Sequence, residues 1–296
     1  MQNLKIHFFT IVLNGMPFID KHIETFLKIE SDWHWHIIEG VAELKNDTAW
    51  SVANGGRIES YFHHNGLSND GTTEYLDSLK KKFPNKISLY RKDHGENWNG
   101  KKEMVNAPLP FIEEEALLWQ IDADEFWSAN QINKTSQLFA SNPKKYAAFY
   151  WCDYFVGPEI VISTRNGYAN NPSQEWERTW RFLPHFRWAS HESPTLVEKT
   201  FSGEIKAIRN RGVFSHQETE SEGLVFQHFA YVYEDQLRFK EKYYGYKDAV
   251  LNWKRLQKNN LFPAKLADFF NWVSDDTLVD KVEAQHIKPM ININNQ

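Results

Sequence analysis

The sequence predicts an α/β fold: a mixed, mostly parallel sheet flanked by helices, followed by a helical C-terminal extension. Two observations predict it. Strand-like apolar runs alternate with helix-like patterns through the first half of the chain, and helical patterns dominate towards its end. A third observation, that no internal repeat and no Pro-rich or Ser-rich linker is present, favours one continuous domain over residues 1–232 with the extension, 233–296, packed on it.

Each element follows in order. Lys5 to Leu13 reads as a buried strand, because its apolar run meets no turn residue before Asn14-Gly15. Pro17 to Lys28 puts Phe18, Ile19, Ile23, Phe26 and Leu27 on a helix face behind an early proline. Trp33 to Ile38 is the second strand and ends at Glu39-Gly40. The polar stretch from Leu44 to Gly66, broken at Gly55-Gly56, is a loop long enough to suggest a function. Asp70-Gly71-Thr72-Thr73 turns into a helix from Glu74 to Lys82, Ile87 to Tyr90 is the third strand, and Lys101 to Val105 opens another helix. Ala116 to Ile121 reads as a central fourth strand, ending abruptly in Asp122-Ala123-Asp124-Glu125. In the second half, strands are expected over Tyr146 to Phe155, Glu159 to Ser163, Thr179 to Leu183 and Gly223 to Phe229. Helices are expected from Glu234 through Gln257, over Ala264 to Val273 with Pro263 at its start, and over Thr277 to Gln285.

Composition narrows the function classes. A net charge of −5 over 296 residues gives no basic footprint and argues against nucleic acid as a partner. The single cysteine, Cys152, excludes an internal disulfide and fits a reducing, cytoplasmic setting. The apolar run Phe8 to Leu13 falls far short of the roughly 20 residues of a membrane span, so none is expected. Aromatic residues make up 15% of the chain, many beside polar ones, as in Trp33-His34-Trp35-His36. Such rings serve either as core or as stacking platforms for sugars or bases.

The segment Leu117 to Phe126 is the most informative. A buried strand that delivers Asp122 and Asp124 at its C-terminal edge puts two carboxylates where open α/β sheets bind ligands. Oxygen ligands of this kind suit a divalent cation shared with substrate phosphates; the alternative is that both merely cap the next turn. At the ends of the first and second strands, Asn14 offers polar groups beside a glycine, and Glu39 can accept hydrogen bonds from a base or ribose. Lys101, Lys102 and Asn106 start the helix before the fourth strand, where they would meet phosphate or ribose, or would simply be a solvated face.

Asn-Gly after strand one, Glu-Gly after strand two, the helix near Lys101 and the Asp122-Ala123-Asp124-Glu125 strand end together resemble the nucleotide-sugar half of GT-A glycosyltransferases, particularly family-2-like members. Two later segments extend the resemblance over roughly residues 6 to 245. One is the Arg-rich stretch Arg178 to Arg187 followed by His191-Glu192; the other is Gln227-His228-Phe229-Ala230-Tyr231-Val232 with Lys240 and Lys242 beyond it. The resemblance implies a metal-dependent glycosyltransferase using Mn2+ or Mg2+. Its donor would be a UDP- or GDP-linked nucleotide sugar and its acceptor a glycan or other hydroxyl, with Trp151, Tyr154 and Trp188 as candidates to line an acceptor groove. It implies Asp124 and His228 as metal ligands, Asp122 on metal or ribose, Arg181 on phosphate or buttressing Glu192, and Glu192 as general base. A nucleotidyltransferase acting on sugar phosphates and a non-catalytic carbohydrate-binding protein are the alternatives. The first lacks a Gly-rich phosphate loop after strand one.

Overall fold

The computed structural model describes residues 4–93, 95–165 and 175–293. Its first half is built as the apolar runs require. Strands β1 (Ile6–Val12), β2 (Trp33–Glu39), β3 (Ile87–Tyr90) and β4 (Ala116–Gln120) are parallel and ordered β3-β2-β1-β4; β1, β2 and β4 are almost wholly buried, and the edge strand β3 is partly so. Helices α1 (His22–Phe26), α2 (Ala49–Ala53), α3 (Thr72–Lys82) and α4 (Lys101–Asn106) lie in the connections. The expected helix over Pro17 to Lys28 is shorter than its pattern, a 3-10 turn at Ile19–Lys21 running into α1.

Beyond β4 the chain reverses direction. Strand β5 (Glu125–Phe126) leaves the first sheet, and α5 (Ala129–Ser141) follows, opened by a reciprocal Ser128–Gln131 capping box. The run expected as one strand over Tyr146 to Phe155 divides into β6 (Ala147–Phe149) and β7 (Cys152–Gly157), which belong to different sheets. Strands β8 (Ile160–Ile162) and β9 (Glu177–Phe182) follow, and β9 is antiparallel to both β4 and β6. A separate antiparallel sheet of β10 (Arg187–Ser190), β11 (Thr195–Lys199) and β12 (Ile205–Ala207) follows. Then come β13 (Val213–Phe214), α6 (His216–Ser221), β14 (Phe226–His228), α7 (Glu234–Tyr243) and α8 (Ala249–Gln257).

The C-terminal region corrects the expected helical extension. Helices α7 and α8 are present, but the segments Ala264 to Val273 and Thr277 to Gln285 contain β15 (Ala264–Lys265) and β16 (Leu278–Lys281) in place of helices. Strand β16 pairs with β8 in a six-stranded sheet ordered β15-β16-β8-β7-β14-β5. The helix-like spacing of Leu266, Phe270 and Val273 instead serves a 3-10 turn and loop whose side chains pack with Val156, Ile160 and Val279. The main sheet is thus mixed, ordered β13-β6-β9-β4-β1-β2-β3, with large buried rings such as Trp35, Trp119 and Trp180 filling its two faces. Among the described residues no helix is long and apolar enough to cross a membrane.

Candidate functional site

The sheet order places β1 between β2 and β4, so successive crossovers part there, and the region beyond the carboxyl ends of β1 and β4 is where open α/β sheets take their ligands. Asn14-Gly15 leaves β1 into it, and Asp122 to Glu125 leaves β4. Asn14 adopts φ 59°, a left-handed conformation that Asn tolerates. Gly15 has no room for a Cβ, which would lie 2.8 Å from Val12 Cγ2. The Asp70-Gly71-Thr72 turn, far downstream in sequence, returns to cover this corner. Asp70 Oδ2 accepts the Met16 N–H at 2.9 Å, and Thr72 Oγ1 accepts that of Gly15 at 2.8 Å.

After β4 the chain makes a tight turn in which Asp122 and Asp124 diverge. Asp122 Oδ1 accepts from the Gln120 amide at 3.1 Å and its Oδ2 lies 3.5 Å from Arg178. Asp124 Oδ1 lies 3.4 Å from His228 Nε2, and its Oδ2 accepts from Gln236 at 3.3 Å. His228 is brought there by the antiparallel pairing of β14 with β5, in which it sits opposite Glu125. Burial pulls the His228 pKa down, but the Asp124 and Glu125 carboxylates outweigh it and raise it above the ordinary value. Beneath them the Arg178 guanidinium holds the fully buried Glu125 carboxylate, with Nη2 to Oε1 at 2.6 Å.

A second charge cluster lies alongside. Lys101, the first residue of α4, pairs with Glu192 and lies 3.5 Å from Asp47, which comes from the long loop. The Lys101 ammonium holds Glu192 at a pKa of about 2, and burial lowers His191 to about 4. Both ring nitrogens of His191 are enclosed and lack a hydrogen-bond partner among the described residues. Lys240 of α7 makes no ion pair among the described residues. Its ammonium sits over the Tyr231 and Tyr244 rings at 5.8 and 5.3 Å, and its charge acts on both Asp124 and Glu192.

The geometry assigns the expected residues differently. Asp124, His228 and Glu192 fall within one charge-coupled group. Asp122 turns instead to Gln120 and Arg178, and among the described residues no three His, Cys, Asp or Glu side chains form a metal-ligating set. Arg181 is a correction: it is paired with Leu117 near the start of β4, so it lies at the far edge of the sheet, bonded to Glu115 and to the carbonyls of Phe139 and Lys145. Arg178, three residues earlier on the antiparallel β9, is the arginine that reaches the acidic tip. Glu39 is fully buried and accepts from Ser68, Thr73 and Arg91, so it anchors the loop and offers no exposed oxygen to a ligand. Asn14 is likewise occupied, with Phe62 O and the Asn69 N–H. Lys102 is exposed and turned about 100° around α4 from Lys101. Asn106 is held on the Trp188 backbone of β10. Trp188 and Tyr154, expected at an acceptor groove, are core residues, 2% and 4% exposed.

Asp124 and His228 fit a cation shared with a substrate. Two donors each about 2.1 Å from one ion stand roughly 3.0–3.4 Å apart, and a Mg2+-type ion takes only one or two protein carboxylates when phosphates supply the rest. The 3.4 Å spacing of Asp124 Oδ1 and His228 Nε2 meets that condition, long for a hydrogen bond yet right for neighbouring ligands.

No family model matches the chain, and no curated protein matches it. Solved structures do. One is the mannosyltransferase PcManGT from Pyrobaculum calidifontis in complex with GDP-Man and Mn2+: 13% identity, TM-score 0.37, covering 51% of this chain and 36% of that one. Another is S. aureus TarS 1-349 in complex with UDP-GlcNAc, at 11% identity and TM-score 0.39, covering 60% of this chain and 45% of that one. A further structure of S. aureus TarS gives 12% identity and TM-score 0.38, covering 60% of this chain and 28% of that one. The chain spans less than half the length of each of these proteins, and the similarity is too remote to carry a function.

Proposed function

We propose that this protein is a GT-A, family-2-like glycosyltransferase that moves a sugar from a UDP- or GDP-linked donor to the hydroxyl of a glycan or other acceptor. The observation that carries the reading is the Asp124–His228 pair beyond the carboxyl ends of β1 and β4, with the charge of Lys240 acting on it and the Lys101–Glu192 ion pair alongside. Carboxylate, imidazole and ammonium groups gathered there suit a diphosphate and an incoming hydroxyl better than they suit an apolar ligand.

Asp124 and His228 would hold Mn2+ or Mg2+, which when bound neutralises charge on the departing diphosphate. Lys240 opposes the same charge from the protein side, in a partly enclosed setting where such a group acts strongly. Asp122 meets the ribose. Glu192 removes the acceptor proton as the bond to the anomeric carbon forms, a step worth roughly 10² to 10⁴-fold. A carboxylate held near 2 is a weak base, so Lys101 must first turn from Glu192 towards the donor phosphates. Direct displacement then inverts the anomeric centre.

The test is a screen of UDP- and GDP-sugars with Mn2+ for nucleotide release. One donor class is expected to turn over in the wild type and to fall by about 100-fold or more in Asp124→Asn. No turnover of any donor, or equal rates in the variant, overturns the reading.

A further inference from the structure

The long loop between β2 and β3 has a use that the donor site does not absorb. It carries α2, whose Trp50 is 43% exposed, and lays that ring against aromatic residues from the far end of the chain. Trp50 stacks near Tyr246 (centroids 5.6 Å apart, planes at 27°) and near Tyr244 (6.4 Å, 16°), and Tyr246 stacks on Trp272 (4.9 Å, 30°).

The row is fixed in place by backbone. Gly56 and Gly245 let the two segments touch: a Cβ on Gly56 would lie 2.5 Å from the Tyr243 carbonyl oxygen, and one on Gly245 would lie 2.7 Å from that of Asn54. The Arg57 N–H donates to Lys242 O at 3.2 Å, and Tyr243 Oη donates to Ala42 O at 2.8 Å. The rings are therefore held together before any ligand arrives, and ordering them on binding costs little.

One end of the row is the catalytic charge cluster itself. The Tyr244 ring carries the ammonium of Lys101 at 5.1 Å and that of Lys240 at 5.3 Å, and Tyr246 feels the charges of Glu192 and Lys240. A run of flat rings, Trp50 exposed and Tyr244 and Tyr246 partly buried, that begins beside a carboxylate and two ammonium groups has the chemistry of a carbohydrate subsite. The rings cover the apolar C–H faces of a pyranose, and the charged groups bind its hydroxyls. A lipid tail would be left with charges at its reacting end, and a peptide would need backbone partners that the rings do not offer.

We propose that Trp50, Tyr244 and Tyr246 form the acceptor subsite, and that the acceptor is a sugar chain whose terminal residue lies against Tyr244 with a hydroxyl facing Glu192. The word acceptor rests on the glycosyltransferase reading; the sugar-binding shelf does not. The test is calorimetric titration of the full chain, without nucleotide, with cellotetraose, mannotetraose and chitotetraose. At least one is expected to bind, with affinity lowered about tenfold in Trp50→Ala and Tyr246→Ala. Affinity should be unchanged in Phe201→Ala, an exposed ring on the β11–β12 hairpin at the opposite end of β11 from Glu192. Thermal melts confirm that each variant is folded. Failure of all three probes to bind, or equal affinity in Trp50→Ala, overturns the proposal. Trp50-dependent sugar binding in a chain that takes no nucleotide would leave the shelf standing and overturn the donor reading alone.

Discussion

The Asn106 side chain grips the Trp188 backbone at both ends: Nδ2 donates to the Trp188 carbonyl at 3.1 Å, and Oδ1 accepts the Trp188 N–H at 3.0 Å. The amide thereby stands in for a missing strand neighbour of β10 and ties α4 to it. Lys101 begins α4 and Glu192 lies just past β10, so the clamp sets the register in which their charges meet.

Asn106→Ala therefore leaves both Trp188 groups without this partner. A loss of about 1–3 kcal/mol in urea unfolding is expected, with Asn106→Asp also destabilising because it cannot donate. Unchanged stability in both would show that the clamp is incidental.

Lys101→Met should free Glu192. With the ammonium removed, its carboxyl rises from about 2 towards the ordinary carboxylate range, observable by carbon NMR of the labelled side chain. In the wild type the folded pKa is depressed, so the pair's contribution to stability is present above the unfolded value and is lost as pH falls towards 2. A Glu192 titration that does not move in Lys101→Met contradicts the pairing.

Arg178 and Glu125 are a fully enclosed pair, and removing one partner strands the other. Arg178→Ala is expected to cost about 3–5 kcal/mol, whereas the double variant Arg178→Met/Glu125→Leu recovers much of that loss. A double-mutant cycle in urea measures the coupling, and additive losses would argue against it.

Three histidines share one face of β1 and β2. His7 Nδ1 meets His36 Nε2 at 2.8 Å, His36 Nδ1 meets Tyr90 Oη at 2.8 Å, and His34 Nε2 meets Ser88 Oγ at 2.9 Å. Burial lowers His7 to about 3 and His34 to about 4, and His36 falls as well. The unfolded chain then binds more protons than the folded one below the ordinary histidine value of 6.5. Stability should rise with pH from about 4 to 6.5, with His7 alone contributing about 2 kcal/mol of loss at pH 5. A melting temperature flat between pH 5 and 7 would contradict neutral, buried imidazoles.

The parallel half of the sheet was legible because β1 and β4 are near-continuous apolar runs, interrupted only at His7, Thr10 and Gln120, and β2 alternates large rings with histidines before Ile37-Ile38. The meeting of Asp124 with His228 had two separate sources: Asp124 stood out because it follows an apolar strand, and His228 only through the resemblance to a family pattern. What stayed hidden depends on pairing between distant segments. Arg178 and Arg181 look alike until the direction and register of β9 are known, and only then does one face the acidic tip and the other Glu115. Leu278 to Lys281 carries too short an alternation to outweigh its helix-like neighbours, and it becomes a strand by adding to β8. The Lys101–Glu192 pair joins a helix start to a strand turn, and the Trp50 shelf joins a loop to the C-terminal region, so neither leaves a local pattern to read.

The most direct measurement is calorimetry of UDP and GDP binding with and without Mn2+, in the wild type and in Asp124→Asn. One nucleotide should bind the wild type in a Mn2+-dependent manner and lose about 100-fold or more in affinity in the variant. Equal binding by both proteins, or no binding by either, would contradict a site built around Asp124 and His228.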